Sequence, residues 1–442
     1  MGAFGARDVR LERRAEQMVA DMMEQGSVVL KRLGGDRAGI VGIDRLLEHE
    51  DITPAAIAET FRERTLAACA GRRVVAAQDT SEVNFSGREA RRRGLGPGGD
   101  GKAAGFFIHP LIAADADTGA LLGLIDVQIW TRTEADGLGE PKESARWLAA
   151  ATAATALVGR AASVVVVGDR ENDIYGYFAG RPAGVELIVR AAQNRALAGG
   201  GSLFAADAHL TVLGEMLVAV PSRGPGDQGR TARVRLSAGR VAVARPGKMR
   251  VADGPASVAL TLVTAIEIDP PAGATQLCWR LLTTLPGESL AAASEVVRFY
   301  RLRWRIEEVF RVLKKDGLDL EATQVVSAGR LFKLAAMALG AAVGIVQLRD
   351  ARDGSSRPAT DLIDAADLDA AAAIGASLEG KTPRQRNPWA KGTLPWLTWI
   401  VARLGGWDCY GRPPGLKTLA IGLRRLHAML HGYSLARTAA DV

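Results

Sequence analysis

The sequence predicts an α/β protein whose central block of strands is flanked by helical segments at both ends. Three observations carry that prediction. Ser163-Val164-Val165-Val166-Val167-Gly168 holds four consecutive valines, the pattern of a strand buried on both faces, as at the centre of a parallel sheet. From residue 73 to about 195 the apolar pattern runs strand, strand, strand, helix, strand, helix, strand. On either side, segments with helix-start and helix-stop residues replace it.

The elements follow in order. Residues 1–72 read as a helical N-terminal domain with Arg-rich stretches such as Asp8-Val9-Arg10-Leu11-Glu12-Arg13-Arg14. A helix start is set at Thr53 as N-cap, with Pro54 in the first turn. A second domain covers 73–350. Its strands span Val74 to Asp79, Phe106 to Ala113, Leu121 to Trp130, Val164 to Gly168 and Leu187 to Ala191, with a helix from Glu143 to Val158 and a short one near Ile174 to Phe178. The loop Ser86 to Lys102 is rich in Arg and Gly. It formally contains GxGxxG, but Pro97 interrupts it and no helix pattern follows, so a dinucleotide site is rejected in favour of a basic hairpin loop.

Residues 196–285 read as short strands inserted into this domain. Arg223 to Arg250 carries eight basic residues against one acid, Asp227, and Arg233-Val234-Arg235-Leu236 alternates as a strand with one apolar and one cationic face. A long helix is expected from about Ser289 to Lys315, stopped by Gly317. The Ala/Leu-rich run Leu334 to Val343 reads as a buried helix. Arg352 to Pro358 reads as a linker into a helical C-terminal domain, 351–442. His427 and His431 lie i, i+4 but have no third ligand nearby, so a surface helix is expected there rather than a metal site.

Composition narrows the function classes. The chain has 442 residues and a formal net charge of +7, which suits a polyanionic partner. Three scattered cysteines, Cys69, Cys278 and Cys409, offer neither a disulfide framework nor zinc spacing, so a cytoplasmic protein is expected. No run of about 18 apolar residues suggests a membrane span.

The chemistry concentrates in Tyr300-Arg301-Leu302-Arg303-Trp304-Arg305-Ile306-Glu307-Glu308-Val309-Phe310-Arg311-Val312-Leu313-Lys314. Read as a helix, it places Tyr300, Arg303, Glu307, Arg311 and Lys314 within an arc of roughly 80°, opposite an apolar face. Trp304 and Tyr300 are large for a face that merely meets water. Two more acids end strand-like runs: Asp79 after Val74-Val75-Ala76-Ala77-Gln78, and Asp169 after the valine strand. Open α/β sheets keep their chemistry just beyond such strand ends. Three carboxylates are the hard oxygen ligands that divalent cations take, and flanking arginines and lysines suit phosphates. Asp173 and Glu308 are local rivals for the acid roles.

Asp79-Thr80, Asp169-Arg170-Glu171 and the spaced Tyr300/Arg303/Glu307/Lys314 resemble the DDE triad and YREK signature of bacterial cut-and-paste transposases of the insertion-sequence-four group. The resemblance runs on through Lys142 to Leu148, Glu186 to Arg190, Trp279 to Thr284 and Val401 to Gly406. It implies an RNase H-like core with a β insertion, and a DNA transposase that cuts transposon ends, through a hairpin intermediate, and joins their 3′ ends to target DNA. It also implies two Mg²⁺ ions, replaceable by Mn²⁺, held by Asp79, Asp169 and Glu307, with Asp79 bridging. Arg303, Arg311 and Lys314 would grip phosphates, Tyr300 would donate to one, and Arg190 and Trp304 would contact DNA. Trp279 would stack a flipped base. The partners implied are double-stranded DNA and a second copy of the chain, the latter through the C-terminal domain. A non-catalytic DNA-binding descendant and a plain nuclease of the same fold are the alternatives.

Overall fold

The computed structural model describes residues 3–85, 92–99, 103–132, 143–220, 229–315 and 317–440. Most of the expected Arg/Gly loop, Arg223 and Lys142 fall outside them.

In chain order the protein opens with α1 (Val9–Gln25), α2 (Leu30–Gly34), α3 (Arg37–Glu48) and α4 (Pro54–Ala68). Strands β1 (Arg73–Gln78), β2 (Ser81–Asn84), β3 (Gly96–Pro97), β4 (Ala104–Asp115) and β5 (Leu121–Trp130) follow. Next come α5 (Glu143–Ala153), β6 (Ser163–Gly168), α6 (Tyr175–Ala179) and β7 (Glu186–Arg190). Four antiparallel strands succeed them: β8 (Thr211–Val220), β9 (Arg230–Ala244), β10 (Ser257–Glu267) and β11 (Cys278–Thr283). The chain closes with α7 (Leu290–Arg301), α8 (Trp304–Lys314), α9 (Ala328–Ala351), α10 (Leu368–Leu378), α11 (Leu394–Leu404) and α12 (Leu416–Ala440). This is a mixed α/β protein with helical regions at both ends, consistent with a generic RNase H-like architecture.

Two compact units divide the chain. A sheet unit comprises Gly71–Asp79 and Pro141–Trp304; a helix-rich unit comprises Met1–Ala70, Thr80–Glu140 and Arg305–Val442.

In the sheet unit the strand order is β1-β6-β7-β11-β10-β9-β8. The pairs β1–β6 and β6–β7 are parallel and the rest antiparallel. The inserted strands therefore extend the edge of the parallel core, because β11 pairs with β7. Along β9 the alternation read from the sequence is borne out: Ala232, Val234, Leu236 and Ala238 are buried while Arg233 and Arg235 face solvent. Three of the strand's cations have acid partners. Arg233 pairs with Asp269 at 3.2 Å and Glu215 at 3.6 Å, Arg230 grips Glu267 through two hydrogen bonds, and Arg240 approaches Glu288.

The helix-rich unit is built around α9, which packs against α1, α4, α11, α12 and β5. By length and composition α9 could cross a membrane, an apolar run longer than the sequence reading allowed for. Here 89% of its most apolar window is buried inside the unit, which makes it a core helix. Gly340 admits the Phe61 ring of α4: a Cβ at that position would lie 2.0 Å from the ring edge. The expected cap of α4 is present, with Thr53 Oγ1 accepting the Ala56 N–H and Pro54 in the first turn. Strand β2, which the sequence reading missed, pairs antiparallel with β4.

Candidate active site

Asp79 and Asp169 are placed by strand register. Valine-rich β1 and β6 run parallel, paired from Arg73–Ser163 to Ala77–Val167. Two residues beyond that last pair stand Asp79 and Asp169, at the carboxyl ends of strands spaced about 4.8 Å apart. On the other side of β6, Gly168 pairs with Val189, so Arg190 is level with Asp169. Arg190 in turn lies opposite Leu281 of β11, with Trp279 two residues further along that strand. Adjacent strand ends thus carry, in order, an acid, an acid and an arginine.

The Asp169 loop is held from below. Asp169 Oδ1 accepts the Glu171 N–H, capping a 3₁₀ turn. The Asn172 side chain packs onto Gly168 so closely that a Cβ there would meet its amide nitrogen at 2.3 Å. Asp173 is buried and saturated. It accepts from Ala192 N–H (2.8 Å), Gln193 N–H (2.9 Å) and Arg195 Nε (2.7 Å), which ties the loop after β6 to the loop after β7. These bonds commit Asp173 to the fold. The short spacing from Asp173 to Arg195 was visible in the sequence, but nothing in it signalled the pairing.

Helix α7 supplies the aromatic and cationic groups. Ser289 caps it as its side chain accepts the Ala292 N–H. The expected single helix to Lys315 is instead broken at Leu302-Arg303, where both N–H groups bond back only three residues, to Phe299 and Tyr300. At this break the Arg303 guanidinium meets Asp79, with Nη1 at 2.6 Å from Oδ2, and the two side chains are only 10% and 16% exposed. The 80° arc drawn through Tyr300 and Glu307 on one helix therefore does not hold, because the two residues belong to different helices.

Tyr300 is buried and meets Trp279 edge-on at 5.4 Å between ring centroids. Burial pushes its phenol above the usual tyrosine range, and Asp169 pushes the same way against Arg303 and Arg190. Tyr300 thus stays a neutral hydrogen-bond donor at physiological pH. Trp304 is 41% exposed, with the Arg303 guanidinium 5.5 Å from its ring. Asp79, Asp169, Arg190, Trp279, Tyr300, Arg303 and Trp304 all belong to the sheet unit.

Glu307, Arg311 and Lys314 lie on α8 within the helix-rich unit. Ile306, Val309, Val312 and Leu313 bury its opposite face. Glu307 occupies the first turn, where a carboxylate is favoured by the helix dipole. Arg311 is exposed. Lys314 donates to the Glu82 carbonyl and to Ser81 Oγ, and sits 3.7 Å from Glu321. Glu308, the other rival acid, is bound by Arg305 and doubly by Arg349, which both reach Asp350. That network pins α8 to α9 and could not be read from the sequence.

Among the described residues no three His, Cys, Asp or Glu side chains form a ready-made cation cage. His427, expected on a surface helix, has Nδ1 shut away from solvent without a hydrogen bond, and burial depresses its pKa to about 4.

The residues at the strand ends do fit a divalent cation. They offer hard carboxylate oxygens, and a positive group, Arg303, already stands on one of them. A family model described as "Transposase DDE domain" matches residues 108–343, more than half of the chain. Asp169 and Glu307 fall within the matched span, and Asp79 precedes it.

Proposed function

The chain belongs to the family defined by the transposase DDE domain, and we propose on that premise that it is a DNA transposase with metal-dependent phosphodiester chemistry. Asp79, Asp169 and Glu307 are the proposed ligands of two Mg²⁺ ions, with Mn²⁺ able to substitute. Bound there, such ions supply an activated water and neutralise charge on the scissile phosphate. The observation that carries the reading is the in-register pair Asp79 and Asp169 at the ends of parallel strands, bordered by Arg190, Tyr300 and Arg303.

The residues around the acids have distinct tasks. Arginines present planar donors that suit phosphate oxygens, so Arg190 and Arg303 hold the backbone beside the cut. Tyr300, kept protonated, donates a hydrogen bond to the same backbone. Exposed Trp304 and half-buried Trp279 supply flat apolar faces for bases. Arg311 and Lys314 extend the phosphate grip along α8. Excision through a hairpin, pairing of two DNA ends by a dimer and joining of 3′ ends to target DNA complete the proposal, with the bacterial nucleoid as its setting. A non-catalytic descendant would be marked by loss of a triad acid, and all three are in the chain.

The test uses purified protein and a plasmid carrying the DNA that flanks its coding region, with any terminal inverted repeats. Mg²⁺-dependent breaks at the repeat boundaries, lost in Asp169→Asn, support the proposal. Binding without breakage in either Mg²⁺ or Mn²⁺ overturns it in favour of the non-catalytic reading.

A further inference from the structure

We infer that Arg303 is a positioning residue that serves as the resident counter-ion of Asp79, making metal binding wait for DNA. The inference rests on the metal-dependent reading above. The guanidinium is 2.6 Å from Asp79 Oδ2, on a carboxylate level with Asp169 at the neighbouring strand end. Two carboxylates so placed repel each other, and a fixed cation relieves that repulsion. The same cation repels a divalent ion approaching Asp79 and occupies one of its oxygens.

Arg303 is also built to leave. It sits in the two-residue break between α7 and α8, so its swing disturbs no helical turn. The Trp304 ring, 5.5 Å from the guanidinium and exposed on the surface, is in contact with it while it sits on Asp79 and leads toward solvent. A DNA phosphate gives the planar fork an acceptor equal to a carboxylate. When Arg303 turns to the phosphate, it no longer competes with the metal for Asp79 Oδ2. DNA and metal then tighten each other's binding by the same factor, because coupling between two ligands is reciprocal.

The experiment reads bound Mn²⁺ directly by electron paramagnetic resonance, with no turnover. Wild-type protein is titrated with Mn²⁺ alone and with a DNA duplex of about 20 base pairs; Asp79→Asn, measured in parallel, corrects for Mn²⁺ held by the DNA. Arg303→Gln and Arg303→Lys are titrated alongside, with circular dichroism to verify folding. The expected result is that DNA tightens Mn²⁺ binding to wild type by about tenfold or more, within the range of ordinary coupling. Arg303→Gln should bind Mn²⁺ about tenfold more tightly than wild type without DNA and gain little from it, while Arg303→Lys stays close to wild type. A merely structural role predicts the opposite sign, weaker metal binding in Arg303→Gln. The inference is overturned if wild type binds Mn²⁺ equally well with and without DNA, a comparison that needs no variant. If wild type binds no more Mn²⁺ than Asp79→Asn under either condition, the metal-dependent reading falls with it.

Discussion

Asp169 and Asp173 stand four residues apart in one loop, yet their surroundings differ in kind. Asp173 has both oxygens occupied by two backbone N–H groups and a buried arginine. Asp169 uses only Oδ1, on a local cap, and among the described residues its Oδ2 accepts no protein hydrogen bond. The helix-rich unit offers a parallel case at Glu308, which is committed to Arg305 and Arg349. Glu307, one residue earlier, points about 100° away around the helix. Asp173, saturated by protein donors, holds the fold, whereas Asp169 keeps an oxygen that can hold something that comes from outside.

The largest effect should separate the two classes outright. Asp169→Asn and Glu307→Gln keep their shapes but lose charge where, on the proposed reading, metal would stabilise the transition state by several kcal/mol. Cleavage of labelled end DNA should fall by at least about a thousandfold, with DNA affinity and melting temperature near wild type. Cleavage by either variant within tenfold of wild type would remove that residue from the catalytic set.

The mirror experiment targets Asp173. Breaking a buried ion pair by deleting one partner costs about 3–5 kcal/mol, and the Asp173 side chain is fully buried against Arg195. Asp173→Ala should therefore lower unfolding stability by that amount in a denaturant titration. Glu308→Gln, whose pair is partly exposed, should cost only about 1 kcal/mol. An Asp173→Ala protein as stable as wild type would erase the contrast between the two acids.

A third prediction concerns pH. The folded pKa of His427, about 4, lies below its ordinary 6.5 because burial disfavours the charged ring, against a weaker pull from Asp364. Between those values the unfolded chain binds more protons than the folded one. Stability from neutral His427 is thus complete above pH 6.5 and is lost as pH falls toward 4. Allowing for the partial exposure of the residue, the loss should be about 2–3 kcal/mol. Glu16 and Asp21, whose pKa values burial raises, work in the opposite direction. The measurement is therefore the difference in pH dependence between wild type and His427→Gln. Identical profiles would show that His427 is solvated.

The elements that were legible in the sequence are those with local signals. Leu121 to Trp130 forms β5 with the bounds read for it, because its apolar run has clear edges. Thr53-Pro54 announces α4 through chemistry confined to four residues. What could not be read depends on distant partners. The ion pair made at the Leu302-Arg303 break reaches a residue 224 positions away, and helical periodicity holds no trace of it. Strand β2 is four residues of mixed polarity that become a strand by pairing with β4. Among the candidate site residues, the placement of Asp79 and Asp169 just beyond valine-rich strands was legible. The acids' present partners, above all Arg303 on Asp79 and Arg349 on Glu308, were not.

The smallest predicted effect tests whether the comparison extends from acids to aromatics. Tyr300 is buried, whereas Trp279, edge-on against it, is half-buried and leaves part of its indole in reach of solvent. A core tryptophan would be enclosed; a stacking tryptophan needs an open face. Hairpin formation bends the DNA backbone sharply, and taking a base out of the stack costs a few kcal/mol. Stacking on an aromatic returns about 1–3 kcal/mol of that, and with one edge of Trp279 already covered by Tyr300 the lower part of the range applies. Trp279→Ala should therefore slow the nick-to-hairpin step by roughly tenfold while the first nick proceeds at nearly the wild-type rate. Trp279→Phe, which keeps a flat ring, should recover much of the loss. A labelled-end assay that resolves nicked, hairpin and fully cut products measures each step separately. Equal slowing of nicking and hairpin formation in Trp279→Ala, or a drop in melting temperature that Trp279→Phe restores without restoring the hairpin rate, would class Trp279 with the structural residues beside Asp173.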